Sequence, residues 1–280
     1  MNLNSKIGLG SVQFGIPYGV SNNKGQTSNE EVTKILSYAN TSEIAIVDTA
    51  SAYGNAEEAL GKNDLNHFKI VSKFMSPSSE SIHEQFKQSL KKLNQNSMYG
   101  YLAHRPADLL KFPKQWSQLK ELKTKGLVEK IGYSLNEPKE LTLLLKKNYI
   151  PDLIQVPYNY FDRRFENLMF DLKSKGCEIH TRSTFLQGLF FMDPDELSPF
   201  FDEVKPYIQS LKKNNTLAKS LLKFTLNKKF IDKVIIGVEN TEQLIENLDK
   251  SKEIQDLEAV NYMISNNILM PMYWPNKRNE

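Results

Sequence analysis

The feature that most constrains the fold of this chain is the regular alternation of short apolar runs with longer segments of helical period. The strand-like runs cover residues 6–12, 43–49, 68–74, 98–104, 128–134, 152–158, 177–183 and 233–238. In the intervening segment 81–93, Ile82, Phe86, Leu90 and Leu93 recur at helical spacing. Such an alternation predicts a parallel sheet that is covered by helices.

The number of units favours one arrangement of such a sheet. Eight strand–helix units in 280 residues match a closed (β/α)8 barrel, the TIM barrel, because that fold typically takes about 250 residues. A doubly wound open sheet is the alternative. No second domain or low-complexity linker is evident, so residues 1–280 are predicted to form a single α/β domain. Residues 190–211 are predicted to form one enlarged loop after the seventh strand, and a tail from about residue 253 is predicted to lie over the rim.

Charge and cysteine content exclude several classes of function. The formal charge is +3 and the lysines are spread over many segments, so no basic stripe indicates nucleic acid or a membrane surface. The single cysteine, Cys177, excludes an internal disulfide and favours a reducing compartment. The first ten residues contain no apolar signal-peptide core, and no run approaches the length of a membrane span. We therefore expect a cytoplasmic protein. The sequence shows no spacing typical of metal ligands, so no metal is expected.

Four polar residues are predicted to lie on one rim of this barrel. The second run ends at Asp48, with Tyr53 in the loop that follows, the third ends at Lys73 and the fourth at His104. In a TIM barrel the chemistry takes place at the C-terminal ends of the strands. Each residue alone is more often structural, as a helix cap, an ion-pair partner or a rim histidine. Their occurrence together on consecutive strands favours a catalytic role, with Asp48 as the nearest partner of Lys73.

This set of side chains is suited to proton transfer to a carbonyl oxygen. A free tyrosine has a pKa of about 10 and exchanges protons poorly near neutrality. A neighbouring ammonium favours the phenolate, and a carboxylate paired with that lysine keeps it in place. A histidine can donate a hydrogen bond to the same oxygen as negative charge develops there. The set therefore predicts an oxyanion site that contains a proton donor. Reduction of a carbonyl at such a site also requires a hydride donor.

Over residues 7–248 the sequence resembles the aldo-keto reductases. The resemblance rests on "IGLGSVQFG", "DTASAYG", "HRP" and "IIGVENTEQLIENL". It implies that Asp48, Tyr53, Lys73 and His104 correspond to that family's catalytic tetrad. It also implies a monomer or weak homo-oligomer whose NADP(H) extends across the C-terminal rim without a Rossmann fold. In agreement, "GLGSVQFG" lacks the third glycine of the Rossmann fingerprint.

The resemblance assigns contacts around the nicotinamide to individual residues. The residues expected there are Gly10, Ser11, Asp48, Ser134, Gln155 and Arg182. The family's usual asparagine after the serine is Leu135 here, so one carboxamide contact is missing or comes from Asn136. Arg182 occupies the position at which many members stack an aromatic ring. Its planar guanidinium can stack in the same way and can favour an anionic substrate.

The remaining assigned contacts lie around the pyrophosphate and the adenosine. The pyrophosphate loop is expected to contain Ser183, Phe185, Leu186, Gln187 and Gly188, and the adenosine side Gly237, Gln243, Glu246 and Asn247. Gln243 stands where the family commonly has an arginine that binds the 2′-phosphate of NADP(H). A glutamine can still hydrogen-bond a phosphate, but the bond is weaker because the donor carries no charge. NADP(H) is the predicted cofactor, with NAD(H) as the alternative. Trp274 in the tail is a candidate wall of the substrate pocket.

Three functions compete on this basis. The leading one is an NAD(P)H-dependent oxidoreductase that acts on a small-molecule carbonyl or alcohol. "VPYNYFDRR" and "RSTFLQGLF" resemble a bacterial branch associated with sugar metabolism, which suggests a sugar-like substrate. The second is a cofactor-binding regulatory subunit with little or no turnover. The third is an unrelated barrel lyase that uses Lys73 as a Schiff base.

Overall fold

The protein is a closed barrel of eight parallel strands, in a computed structural model that describes residues 3–78, 80–249, 253–258 and 263–275. The strands are β1 (Ile7–Gly10), β2 (Ile46–Asp48), β3 (Lys69–Phe74), β4 (Met98–Ala103), β5 (Val128–Ser134), β6 (Leu153–Pro157), β7 (Glu178–Arg182) and β8 (Lys233–Gly237). Each strand pairs with the next in chain order, and β8 pairs with β1. The predicted (β/α)8 barrel is therefore confirmed, and the open sheet is wrong.

Each strand is followed by at least one helix. They are α1 (Val12–Gly15), α2 (Asn29–Thr41), α3 (Ala56–Gly61), α4 (Ile82–Leu93), α5 (Asp108–Lys111), α6 (Lys114–Thr124), α7 (Pro138–Lys146), α8 (Glu166–Ser174), α9 (Lys205–Leu211), α10 (Leu217–Leu226), α11 (Thr241–Leu248) and α12 (Asn266–Leu269). Local sequence explains where several of them begin. Ser81 and Glu84 form a reciprocal capping box at α4, and Asn240 caps α11 by accepting a hydrogen bond from the backbone N–H of Gln243. None of the described helices is long and apolar enough to cross a membrane.

The hydrophobic core has two layers, as expected for this fold. Inside the barrel, one layer consists of Ile46, Val71, Leu102, Leu153 and Ile235. Between the strands and the helices lies the main cluster, to which the helices contribute the apolar faces that the sequence pattern predicts. In α4, for example, Ile82, Phe86 and Leu93 are buried. Burial on both sides of the strands explains why their sequences are continuously apolar.

The segment after β7 differs from the prediction of one irregular loop. Residues 190–211 contain short 3-10 turns at Pro194–Glu196 and Pro199–Phe201 and then α9, in which Pro206 occupies the first turn. Proline is favoured there because its missing N–H would have no partner in the helix. This segment contributes to a second hydrophobic cluster, which also contains Ile268 and Leu269 of α12. The described part of the tail is thereby anchored beside the C-terminal rim.

Candidate active site

The four residues predicted for the rim lie together at the C-terminal ends of β2, β3 and β4. The Nζ of Lys73 lies 2.6 Å from Oδ1 of Asp48, 2.8 Å from the carbonyl oxygen of Thr49 and 3.5 Å from the hydroxyl of Tyr53. The rings of Tyr53 and His104 meet edge to face, with their centroids 5.6 Å apart. Lys73 is the penultimate residue of β3 rather than its last. The three hydrogens of its ammonium have three acceptors in reach.

Two tight glycine contacts place Tyr53 in this group. A Cβ added to Gly15 would lie 1.6 Å from the carbonyl oxygen of Tyr53, so the loop after β2 contacts α1 at a distance that only glycine allows. Gly54 has a φ of +56°, and an added Cβ there would lie 2.5 Å from the carbonyl oxygen of Gly15. At the "AYG" of the sequence, the loop after β2 thus crosses closely over the end of α1. This crossing fixes the phenol of Tyr53 beside Lys73.

Lys73 is a fully buried cation that is stabilised by its neighbours. Its side chain is 0% exposed, and that of Asp48 is 5% exposed. Desolvation lowers the pKa of Lys73, but the Asp48 carboxylate and the Tyr53 oxygen outweigh it, so that the net effect raises this pKa above its ordinary value. The lysine is therefore charged at neutral pH.

Gln155 completes the shell around Asp48. Its Nε2 donates a 2.7 Å hydrogen bond to Oδ2, the carboxylate oxygen that Lys73 does not use. The Gln155 side chain is fully buried, and its Oε1 has no hydrogen-bond partner among the described residues. Each carboxylate oxygen of Asp48 therefore has a partner within the protein, while Oε1 of Gln155 is available to a ligand.

The imidazole of His104 is neutral under ordinary conditions. Burial, together with the nearby charges of Lys73, Arg182 and Arg105, lowers its pKa to about 3. A neutral imidazole has one N–H to donate and one nitrogen to accept. Its Nδ1 is buried without a partner among the described residues. His104 can therefore hydrogen-bond an oxygen near Tyr53 without adding a positive charge.

These residues lie at the base of a cleft of about 770 Å³ that crosses the C-terminal rim. The sequence-predicted residues that line it are Gly10, Ser11, Asp48, Tyr53, His104, Ser134, Gln155, Arg182, Ser183, Phe185, Gln187, Gly188, Gly237, Gln243, Glu246 and Asn247. The cleft runs from the ends of β2 and β4 to the start of α11. Its extent suits an elongated ligand.

Two predicted residues and one candidate wall do not line the cleft. Lys73 is not part of the lining, but its Nζ contacts the hydroxyl of Tyr53, which is. The side chain of Leu186 is fully buried in the second hydrophobic cluster, and Leu186 is not part of the lining. Trp274 packs edge to face on Phe201, and the tail contributes Pro271 and Met272 to the lining instead.

Other predicted contacts are partly engaged within the protein. Leu135 belongs to the main core, and Oδ1 of Asn136 accepts a 2.6 Å hydrogen bond from Arg182. Nε2 of Gln187 donates to the hydroxyl of Tyr18 at 2.9 Å. Oε1 of Gln243 accepts from the backbone N–H of Glu239 at 2.9 Å. Each of these glutamines therefore has one end fixed by the protein.

The cleft also contains residues that the sequence did not single out. They include Gln13, Tyr18, Ser21, Thr184 and Glu239. Tyr18 lies in the loop after α1, where the backbone N–H of Val20 donates to the carbonyl oxygen of Gln187. Burial beside Tyr53 raises the pKa of Tyr18 to about 12, so it is a neutral phenol. A tyrosine within the motif "GIPYG" was the available signal.

The loop after β7 has an uncommon backbone conformation. Ser183, Gln187 and Gly188 have φ values of +66°, +53° and +91°. Positive φ at a non-glycine residue is uncommon and is concentrated at functional turns. A Cβ on Gly188 would lie 2.0 Å from Oγ of Ser21, so the two loops meet directly.

Unpartnered polar atoms indicate that the cleft accommodates a polar ligand. Within the part of the chain that the structure describes, five buried atoms of the lining have no hydrogen-bond partner: Ser11 Oγ, Gln13 Oε1, His104 Nδ1, Gln155 Oε1 and Thr184 Oγ1. Buried polar atoms are normally paired, because an unmade hydrogen bond costs about 1–3 kcal/mol. A nicotinamide dinucleotide has donors and acceptors spread along its length, and the lining fits such a group. No cluster of three or more potential metal ligands occurs among the described residues.

Comparisons with known proteins agree with this geometry. The family model described as "Aldo/keto reductase family" matches residues 6–263. A search of curated proteins found no match. Among solved structures, the holo form of an aldo-keto reductase from Bacillus halodurans is 20% identical with a TM-score of 0.68, over 92% of this chain and 94% of that one. An aldo-keto reductase from Klebsiella pneumoniae in complex with NADPH is 17% identical with a TM-score of 0.65, over 98% and 93%. A glycerol dehydrogenase from Gluconobacter oxydans is 15% identical with a TM-score of 0.64, over 98% and 94%.

Proposed function

The chain belongs to the aldo-keto reductase family, and on this premise we propose that it interconverts a carbonyl compound and its alcohol with NADP(H) or NAD(H). The nicotinamide, when bound, supplies or accepts the hydride. The family membership supports a nicotinamide-dependent oxidoreductase. The roles of individual residues, the choice of cofactor and the substrate are our proposals.

Tyr53 is the proposed proton donor in reduction and the base in oxidation. Its hydroxyl lies on the cleft and 3.5 Å from the Lys73 ammonium. When Tyr53 gives up its proton, the resulting phenolate faces a cation that is already in place. No side chain has to move or to be desolvated at that moment, which is the condition for effective electrostatic stabilisation.

His104 is the proposed orienting residue for the substrate oxygen. Its ring meets that of Tyr53 at an interplanar angle of 84°. Because its pKa is lowered to about 3, it does not compete with Tyr53 as a proton donor at neutral pH. A neutral N–H beside the phenol can fix the carbonyl oxygen and stabilise the negative charge that develops on it.

The buried Lys73–Asp48 pair beneath Tyr53 is the observation that supports this function most directly. Burying an ion pair costs the hydration of both charges, and this cost can exceed their mutual attraction. A stabilising effect on the fold therefore does not by itself explain why such a pair is present. Here the third ligand of the ammonium is a phenol that faces a cleft. A function for the phenol explains the arrangement.

The cofactor is proposed to bind along the cleft through residues that do not belong to the tetrad. Ser134 and the free Oε1 of Gln155 are suited to the carboxamide, and the backbone of the loop 183–188 is suited to the diphosphate. Gln243 and Asn247 lie at the far end, where the adenosine is expected. We propose NADP(H) as the preferred form, since an amide at position 243 can still hydrogen-bond a phosphate.

A steady-state assay tests the proposed function. The protein is mixed with NADPH or NADH and a panel of aldehydes, ketones and sugars, and the nicotinamide absorbance is followed. Turnover of at least one carbonyl that is lost in Tyr53→Phe is the expected result. Tight binding of NADPH without turnover of any compound in the panel would instead favour a regulatory subunit.

A further inference from the structure

We propose that the substrate bears an anionic group, a carboxylate or a phosphate, which Arg105 and Arg182 bind beside the reacting carbonyl. This inference rests on the proposed oxidoreductase function and names the substrate class of the same cleft. It follows from the way in which the two guanidinium groups are partnered.

Arg182 is a partly buried cation whose partners are all neutral. Its Nη2 donates to the carbonyl oxygen of Leu135 at 3.0 Å and to Oδ1 of Asn136 at 2.6 Å, and its Nη1 donates to Oγ of Ser183 at 3.3 Å. These bonds use three of the five N–H groups of a guanidinium. Among the described residues no carboxylate is paired with Arg182. The side chain is thus oriented by neutral groups, while its charge is left without a counterion.

Arg105 adds a second uncompensated charge to the same cleft. It follows His104 directly, lines the cleft and is exposed. No described carboxylate lies within ion-pair distance of it. Both arginines line the cleft that also contains Tyr53 and His104.

The acidic residues of the cleft do not balance these charges. The acids in the lining are Asp48, Glu239 and Glu246. Asp48 is already paired with Lys73. Glu239 follows β8, where the charge of Lys24 favours its carboxylate form. Glu246 lies in α11. The end of the cleft beside Tyr53 and His104 is therefore positive.

An unpaired and partly buried guanidinium is costly unless an anion binds there. A planar guanidinium is a strong donor to a carboxylate or a phosphate, and Arg182 has two N–H groups left, one on Nε and one on Nη1, each of which can donate to an anion. The diphosphate of the cofactor is the other source of an anion. The position of Arg105 directly after His104 favours the substrate, and the experiment separates the two sources.

The test compares pairs of carbonyl compounds of which one member bears an anionic group. Butanal is compared with 4-oxobutanoate, in which a carboxylate replaces the terminal methyl, and glyceraldehyde with glyceraldehyde 3-phosphate. In the wild type, kcat/KM is expected to be at least about tenfold higher for the anionic member of one or both pairs, the size of one charge-assisted hydrogen bond. Arg182→Gln and Arg105→Gln should each reduce this preference, and Arg182→Lys should restore part of it. About 0.5 M salt should weaken it as well.

Matched controls identify the source of any effect. Lys125→Gln removes the same charge from an exposed residue that lies outside the cleft, and should leave the preference unchanged. NADPH affinity is measured by fluorescence titration in each variant. If Arg182→Gln weakened NADPH binding and slowed both members of a pair equally, the anion would belong to the cofactor and the inference would be wrong.

A binding measurement keeps the inference testable if turnover fails. With NADPH present, the rise in Tm is compared for the alcohols 4-hydroxybutanoate and 1-butanol, which cannot react with the reduced cofactor. A larger rise with the anion that disappears in Arg182→Gln supports the inference. Equal rises, together with equal kcat/KM values within both carbonyl pairs, would overturn it. Failure of the oxidoreductase function itself would appear separately, as a lack of turnover of charged and neutral carbonyls alike.

Discussion

The ammonium of Lys73 lies 2.6 Å from Oδ1 of Asp48, and the two side chains are almost completely shielded from solvent. In this position Asp48 holds the ammonium at the floor of the cleft, 3.5 Å from the hydroxyl of Tyr53. Gln155 binds the other oxygen of Asp48, so the carboxylate cannot rotate away.

Replacing Tyr53 by Phe should abolish most turnover while preserving both the fold and cofactor binding. Only a hydroxyl at the cleft surface is removed, and the loss of a general acid typically costs about 10²–10⁴ in rate. The cofactor contacts proposed above come from other residues. Kinetics, circular dichroism and NADPH fluorescence titration check the three parts. A well-folded variant that keeps more than about a tenth of the wild-type kcat would contradict the role of Tyr53.

Replacing Lys73 by Met should reduce both activity and stability. It leaves the Asp48 carboxylate buried without its cation, and breaking a buried pair costs about 3–5 kcal/mol. Alcohol oxidation should also move to higher pH, because without the ammonium the phenolate is less stabilised. The double variant Asp48→Asn/Lys73→Met separates the two effects, since it removes both charges. Urea unfolding should show recovery of much of the stability, whereas activity should remain low. Full activity in the double variant would exclude the proposed role of the ammonium.

The intact pair should be insensitive to pH across the neutral range. The pKa of Lys73 is raised above its ordinary value. A raised pKa of a basic group in the folded state contributes stability that is fully present below the unfolded-state pKa, and that is lost only as pH rises through the folded-state value. The pair is therefore expected to contribute throughout neutral pH and to weaken only under strongly alkaline conditions.

Much of this site could be predicted from the sequence, because parallel strands in register bring their C-terminal ends to one rim. Asp48, Lys73 and His104 each stand at or next to the end of a strand, so finding the strands was enough to group them. Tyr53 required in addition the loop crossing at Gly15, which the sequence suggests only through its glycines.

The parts that could not be predicted depend on contacts between distant segments. Nε2 of Gln187 bonds to the hydroxyl of Tyr18, which is 169 residues away in the chain, so neither residue alone indicates the contact. The side chain of Leu186 points into the core because the backbone φ of this residue is +45°. Leucine rarely adopts a positive φ, so the sequence does not suggest this orientation. The tail contributes Met272 rather than Trp274, because Trp274 packs against Phe201.

Replacing His104 by Gln should make the protein less sensitive to acid. Burial and nearby charges lower the pKa of His104 from 6.5 to about 3. Between these values the unfolded chain binds a proton that the folded chain does not, so the free energy of unfolding falls as pH decreases below about 6.5. Urea unfolding between about pH 4 and 7 should show a smaller pH slope in the variant, by up to one proton. The exposed His67→Gln is the matched control and should retain the wild-type slope. An unchanged slope in His104→Gln would mean that its imidazole is protonated in the folded state.

Replacing Gln243 by Arg should increase the preference for NADPH over NADH. A charge-assisted hydrogen bond to a phosphate contributes about 1.5–3 kcal/mol, which corresponds to roughly tenfold or more in Kd. Oε1 of Gln243 now accepts from the backbone N–H of Glu239, so the new guanidinium would lie near the Glu239 carboxylate and could pair with it. The gain should therefore be larger when Glu239→Gln is added.

Fluorescence titration of both cofactors measures the ratio of the two Kd values. Ile245→Arg adds the same charge to the same helix at a residue that is 42% exposed and does not line the cleft, and it should leave this ratio unchanged. If Gln243→Arg left the ratio unchanged with either residue at position 239, Gln243 would not face the 2′-phosphate, and the adenosine would have to bind elsewhere along the cleft.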